Sequence, residues 1–399
     1  MTKTELRGAL GLALVVGLRI FGLFLVLPVL ALDLARMAGV TPWLIGLALG
    51  VYGVGHLFLQ VPLGLLSDRI GRKPVITLGL SLFALGSLVA ALATGVWGII
   101  LGRALQGTGA VTGASQALAA DLTRDEDRNA VMGILGGMVG LAFLLALLLG
   151  STFAAHLGGL NGLFGLTFVL VLLAIVALWL LVPHAPVPRA HGSAGASAII
   201  RTLTDVRLRV MDLSAFILHG LLMLLFVAMP LRLAHDLHLE VAEQWHVYVP
   251  ALLSAGLVMG AALPRMRSHA ATVRAAQISV LLLVVGLGLL AEGQSSLAMV
   301  VIGSICFFVA FSLLEASLPS LVSRLVPVSQ RGAALGAYSA SQFLGVIVGG
   351  VIGGLLLGSL GTTGVFTAAA AAALVWLVVL LWQGRRLHSQ PDSSRFGDT

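Results

Sequence analysis

Charge is what this sequence has least of. Asp, Glu, Lys and Arg make up 10% of 399 residues, the nine hydrophobic types make up 59%, and the mean hydropathy is +1.07. A water-soluble domain cannot cover that much apolar surface, so that class is excluded. Cysteine is nearly absent: Cys306 stands alone in an apolar run, which excludes an internal disulfide. No cluster of side chains has metal-ligand spacing, and no nucleophile triad or phosphate loop is present, so neither a metal nor a cofactor is expected. "GTGAVTG", Gly107 to Gly113, misses the dinucleotide-binding spacing by one residue and follows no strand. Alternating apolar and polar stretches are missing too, which excludes a membrane β-barrel.

What is present is a succession of continuous apolar runs. A helix needs about 20 apolar residues to cross the hydrocarbon core, and by that measure the chain holds twelve candidate spans. The first six are Gly8–Ala31, Trp43–Leu66, Val75–Ala93, Trp97–Ala120, Ala130–Phe153 and Leu163–Val182. The second six are Val210–Ala234, Trp245–Leu263, Ala275–Ala291, Leu297–Val322, Ala333–Leu357 and Val365–Trp382. The expected fold is an all-α membrane protein of twelve transmembrane helices, in two six-helix halves around a central cavity. Residues 1–182 form one half and 210–383 the other. A Pro-, Ala-, Ser- and Arg-rich linker, 183–209, separates them, and a polar tail, 384–399, follows. "RNAVMG" at Arg128 and "RGAALG" at Arg331 each open the fifth span of their half, a weak internal echo.

The net charge of +7 follows topology rather than nucleic acid. With the N-terminus in the cytoplasm, cytoplasmic segments hold 19 of the 23 Lys and Arg. Arg36 and Arg232 face outside, and Arg19 and Arg103 lie within spans. That bias places both termini and the linker in the cytoplasm of a bacterial inner membrane protein. Trp43, Trp97 and Trp245 open spans at the outer interface, and Trp179, Trp376 and Trp382 sit toward inner ends.

Against this scarcity, "GLLSDRIGRKP", Gly64 to Pro74, concentrates Asp68, Arg69, Arg72 and Lys73 around Gly71 at the bend between the second and third spans. Positive-inside bias explains the cations but does not require Asp68. Asp68 and Arg72 are four apart and share a face if the second span runs a turn further.

This stretch resembles the loop motif of the major facilitator superfamily, Gly-x-Leu-x-Asp-Arg-x-Gly-Arg-Lys. "GRALQGTGA", Gly102 to Ala110, resembles the superfamily's fourth-helix motif through Arg103, Gln106, Gly107 and Gly109. "WGIILGRALQG", "ADLTR", "LPSLVSR" and "SQFLGV" make the whole chain similar to the drug:proton antiporter branch, most closely to YajR-type exporters. The resemblance implies alternating access, proton coupling and a latch. In that latch, Gly64, Asp68, Arg69, Gly71 and Arg72 act with Asp121, the loop arginine pairing with the acid that ends the fourth helix and Asp68 meeting a helix start near Arg331. Two departures matter. The chain stops at Thr399 without the soluble domain of YajR-type proteins, so regulation through that domain is not expected. The antiporter motif of the fifth helix, a Gly-Pro followed by small residues, reads Gly150-Ser151-Thr152.

Ionisable groups inside a membrane are costly and mark functional sites by default. Arg19, Arg103, His219 and Glu315 are the candidates. Glu315, four residues before Pro319, is either a proton carrier or half of a structural pair with Arg103 or His219. His219 is a proton relay, a substrate ligand or a packed side chain. Arg19 is a cavity charge or a structural partner. His56 and Gln60, a turn apart, either line the cavity or bond neighbouring helices. The expected activity is proton-coupled efflux of a small amphipathic compound by a monomer in the lipid bilayer. It is not an enzyme and does not bind nucleic acid. Metabolite uptake, lipid translocation and a non-transporting sensor or scaffold are the alternatives.

Overall fold

The computed structural model describes residues 2–124, 126–183, 205–266, 268–293, 296–327 and 330–388, which are helical with no strand among them. The chain divides into two compact units, Met1–His191 with Val241–Trp245, and Gly192–Glu240 with His246–Thr399.

The first unit opens with α1, Lys3–Leu25. Thr2 and Glu5 form a reciprocal cap: Glu5 N–H donates to Thr2 Oγ1 at 3.2 Å and Thr2 N–H to Glu5 Oε2 at 2.6 Å. Pro28 lacks the N–H that would continue the ladder, and the run restarts after Val26 as α2, Leu27–Arg36. Helices α3, Pro42–Gly50, and α4, Tyr52–Ile70, follow, separated by Val51. Gly71, at φ 98°, makes the bend into α5, Arg72–Ala91, a conformation open to glycine at little cost. Next come α6, Val96–Thr108, and α7, Thr112–Asp121. Helix α8, Arg128–Leu157, ends in Gly158 and Gly159, both at positive φ, before α9, Leu160–Leu181. The first N–H of α9 donates to Asp33 Oδ2 at 2.9 Å, placing a carboxylate at a helix N-terminus. Helix α1 packs on α8 and α9, α5 on α6 and α9, and α4 on α6.

The second unit contains α10, Val206–His235; α11, Trp245–Ala262, apart from its first residue; α12, His269–Glu292; α13, Leu297–Leu325; and α14, Arg331–His388. Its main contact is α10 on α14, with α12 on α13 and α14. Glycines make the first contact possible. A Cβ on Gly345 would lie 2.2 Å from the Phe216 carbonyl oxygen, and one on Gly349 2.5 Å from Gly220 Cα. Trp376 Nε1 donates to Ser214 Oγ at 2.9 Å across the same seam.

Ten helices among the described residues are long and apolar enough to cross a membrane, against twelve runs counted in the sequence. Two local features account for the difference. The fourth run is broken at Gly109–Val111 into α6 and α7, each too short alone. The eleventh and twelfth runs are joined in α14 across Gly361, whose φ of 66° and ψ of −172° are not helical. The expected linker lies outside the described residues from 184 to 204, as does the tail from 389.

Candidate functional site

Two polar clusters sit within the apolar helices, one in each unit. In the first unit, α4 and α6 cross at glycine: a Cβ on Gly55 would lie 2.3 Å from Gly107 C, and one on Gly107 2.1 Å from Tyr52 O. That approach brings Tyr52 beside Arg103, whose guanidinium carbon is 5.2 Å from the phenol ring centroid. Arg103, 2% exposed, donates from Nε to Ala48 O at 3.3 Å and from Nη1 to Gln106 Oε1 at 3.0 Å. Gln106 Nε2 in turn donates to Ser87 Oγ at 2.9 Å. Arg19, also 2% exposed, reaches the other end of Tyr52. Its Nη2 donates to Tyr52 Oη at 3.1 Å and to His56 Nε2 at 3.0 Å, with the guanidinium 5.3 Å from the Phe83 ring centroid. An arginine only donates, so His56 Nε2 is an acceptor and carries no proton. Gln60, one turn beyond His56, is partly exposed. Arg19, Arg103, His56 and Gln106 are thus brought together, with Tyr52 as the hub.

In the second unit, His219 on α10 faces Glu315 on α13 and Gln342 on α14. Nδ1 of His219 lies 3.0 Å from Ala215 O, which can only accept, so Nδ1 bears a proton. Nε2 lies 3.3 Å from Gln342 Nε2 and 3.5 Å from Glu315 Oε1. The ring packs edge-on against Phe311 at 5.9 Å. Without a proton, Nε2 accepts from the Gln342 amide; with one, it donates to the Glu315 carboxylate. Both arrangements use atoms already in place. The His219 side chain is 14% exposed and that of Glu315 35%, yet Glu315 Oε1 is itself buried and lacks a hydrogen bond among the described residues. Of the two partners weighed for Glu315, the structure places His219 beside it; Arg103 bonds within the first unit.

The charged bend is a third assembly. Arg72, 11% exposed, pairs with Asp68 one turn before it and donates from Nε to Asp121 Oδ2 at 3.0 Å. Its Nη1 donates to Ser67 Oγ at 2.7 Å, and Ser67 Oγ to Gly64 O at 2.7 Å. The pairing of the loop arginine with the acid that ends α7 is therefore present. Arg69 is exposed, and a Cβ on Gly64 would meet nothing within 4 Å among the described residues.

Several polar residues were invisible to sequence reasoning. Tyr52 was read only as part of a span. Lys73, counted as a topology charge, is 4% exposed; its Nζ donates to Val182 O at 2.5 Å and lies 5.3 Å from the Trp179 ring centroid. Arg232, assigned to the outer face, is fully buried and ties helix ends together. It bonds Leu290 O, donates to Thr363 Oγ1 at 2.6 Å and pairs with Asp236 at 3.4 Å. Its position at the end of α10, four residues before Asp236, was the available signal. Arg124, not singled out in the sequence, donates from Nε to Glu5 Oε1 at 3.0 Å. An open groove of about 490 Å³ lined by Leu6, Arg7, Leu10, Gly11, Leu14 and Leu181 includes no residue of either cluster.

Residues 12–275 and 211–397 match the Major Facilitator Superfamily. The chain belongs to that superfamily. It is 42% identical to the inner membrane transport protein YajR of Escherichia coli (strain K12), over 95% of this chain and 84% of that protein. It is 29% identical to an uncharacterized transporter of Buchnera aphidicola subsp. Baizongia pistaciae, over 93% of this chain and 95% of that one. A crystal structure of a mutant of the nucleoside transporter NupG superposes with a TM-score of 0.81 at 15% identity, covering 96% of this chain and all of that one, a likeness of fold alone. The protein is a multi-pass membrane transporter for small-molecule substrates, and its relatives are named transporters rather than enzymes.

Proposed function

We propose that this transporter couples inward proton flow to export of a small amphipathic compound, its two six-helix halves admitting substrate alternately from either side of the membrane. In this reading the chain crosses twelve times: α6 with α7 forms the fourth pass, and α14 divides at Gly361 into the last two. It works as a monomer with both termini and the linker on the cytoplasmic side.

The observation that carries the coupling is the His219–Glu315 pair, 3.5 Å apart, with an amide on the third side that can complement the unprotonated ring. A ligand or proton shifts a conformational equilibrium only by binding one state better than the other. A pair that is ionised in one state and neutral in the other meets that requirement. Arg19 and Arg103, with His56, Gln60 and the fourth-helix residues Gln106, Gly107 and Gly109, form the substrate side of the site. Gly64, Asp68, Arg69, Gly71, Arg72 and Asp121 form a latch whose ion pairs favour one conformation.

The test uses the full chain in proteoliposomes with an imposed pH gradient and a panel of amphipathic compounds. Wild type should move a panel member uphill, and Glu315→Gln, which mimics the neutral acid, should fold normally yet only equilibrate it. Uphill transport with unchanged pH dependence in Glu315→Gln would move the proton site elsewhere. Inverted vesicles set the direction: uptake into them supports export, and efflux would support a metabolite importer.

A further inference from the structure

Several arginines near the ends of helices have an acid: Arg36 pairs with Asp33, Arg72 with Asp68 and Asp121, Arg124 with Glu5 and Asp127, Arg207 with Asp205, and Arg232 with Asp236. Arg7, Arg265 and Arg331, also near helix ends, donate to the Leu180, Ala261 and Ser323 carbonyls. Arg19 and Arg103, which lie within the apolar runs, have no carboxylate within ion-pair distance among the described residues. Both are 2% exposed and both lie against one side chain, Tyr52. Their partners are neutral: the Ala48 and Leu49 carbonyls, Gln106, the Tyr52 phenol and an unprotonated His56 nitrogen. Arg19 Nε is buried and lacks a hydrogen-bond partner among the described residues.

Arginine does not give up its proton in proteins, so two positive charges remain in an apolar setting. Dipoles solvate such charges but do not neutralise them, and a desolvated ion without a counter-ion is costly. The guanidinium fork matches an oxyanion, and the unused Nε–H of Arg19 is a donor without an acceptor.

We infer that the missing counter-charge is the substrate itself: the first unit binds an amphipathic organic anion, a carboxylate-bearing compound, at the Arg19–Tyr52–Arg103 cluster. This deepens the exporter reading and rests on it for the direction of transport. Export of one monoanion against one inward proton carries two positive charges inward per cycle. An inside-negative potential therefore drives it, whereas exchange of a monocation for a proton is electroneutral.

The experiment uses the full chain in nanodiscs and matched triplets of aromatic and alkyl probes that share a body but end in a carboxylate, an amide or an ammonium group. Naphthoate, naphthamide and naphthylmethylammonium form one such triplet. Calorimetric competition should rank the carboxylate at least tenfold tighter than the amide within each triplet that binds, with the ammonium weakest. Arg19→Gln should bring carboxylate and amide to equal affinity, and Arg19→Lys should keep a reduced preference. Tighter ammonium binding, no ranking by charge, no binding of any carboxylate, or an unchanged preference in Arg19→Gln would each overturn the inference. The wild-type ranking decides the matter by itself if a variant does not fold. Glu315→Gln keeps the two readings apart. Loss of uphill transport with intact carboxylate preference supports both. A missing preference with intact proton coupling overturns only the anion site, and an intact preference with coupling unchanged in Glu315→Gln overturns only the proton site.

Discussion

The two polar clusters differ in the kind of charge they hold. The first unit's cluster is built from two arginines around Tyr52, so its charge is permanent over any physiological pH. The second unit's cluster is built from His219, Glu315 and Gln342, two of them side chains of types that can gain or lose a proton. Fixed charge suits recognition of a substrate, because affinity then does not drift with pH. In the proposed function, titratable charge suits coupling, because a proton would have to arrive and leave in each cycle. The difference also shows in packing: both arginines are almost fully buried, while the Glu315 side chain is 35% exposed.

The sharpest way to break this comparison is to remove the titratable member. Glu315→Gln should reduce uphill transport to the passive leak while the protein still folds, as read by flux and by gel filtration. His219→Gln should also slow coupling, yet less, since the carboxylate remains.

Next in size are the glycine contacts that hold each cluster in register. Gly349→Leu in the second unit and Gly107→Leu in the first each force a side chain into backbone atoms 2.5 Å and 2.1 Å from the added Cβ. Overpacking of this kind costs about 1–3 kcal/mol or more, and both variants should lower the thermal midpoint in detergent. Gly137→Ala, where nothing lies within 4 Å among the described residues, should be neutral or stabilise its helix by about 0.5–1 kcal/mol. Equal effects at all three sites would show that the seams are not close-packed.

How much of this was legible in the sequence depends on the range of the interaction. The spans were legible because continuous apolar runs report burial in lipid without knowledge of partners. The breaks at Gly109–Val111 and Gly361 were not, because they interrupt hydrogen-bonding and backbone angles without changing hydropathy. The loop arginine's pairing with Asp121 was accessible only through the resemblance, since 49 residues separate the two. The partner of Glu315 was undecided for the same reason: His219 is adjacent in the fold but 96 positions away in the chain, with two helices between. Tyr52 escaped notice because a tyrosine inside an apolar run carries no charge to mark it. The burial of Lys73 and Arg232 was not legible because a count of cations assigns a side of the membrane, not a depth of burial.

Smaller effects sharpen the account. Tyr52→Phe removes the acceptor of one Arg19 hydrogen bond, which should cost about 1–3 kcal/mol in stability or anion affinity while leaving the pH profile of transport in place. The Asp68–Arg72 pair, with Asp68 43% exposed, is worth only about 0–1 kcal/mol as a surface pair. Asp68→Asn should therefore leave expression and thermal midpoint nearly unchanged but cut transport and increase cytoplasmic labelling of a cysteine placed near Gly64. Unchanged labelling with normal transport would reduce the motif's charges to topology signals.

The central claim, that titratable charge belongs to the second cluster and fixed charge to the first, can be tested without knowing the substrate. Infrared difference spectroscopy of the full chain across a pH jump reports carboxyl groups that take up protons. The account predicts a titrating carboxyl band in wild type that is lost in Glu315→Gln, shifted in pH in His219→Gln and retained in Arg19→Gln. A band that survives in Glu315→Gln and vanishes in Arg19→Gln would contradict it.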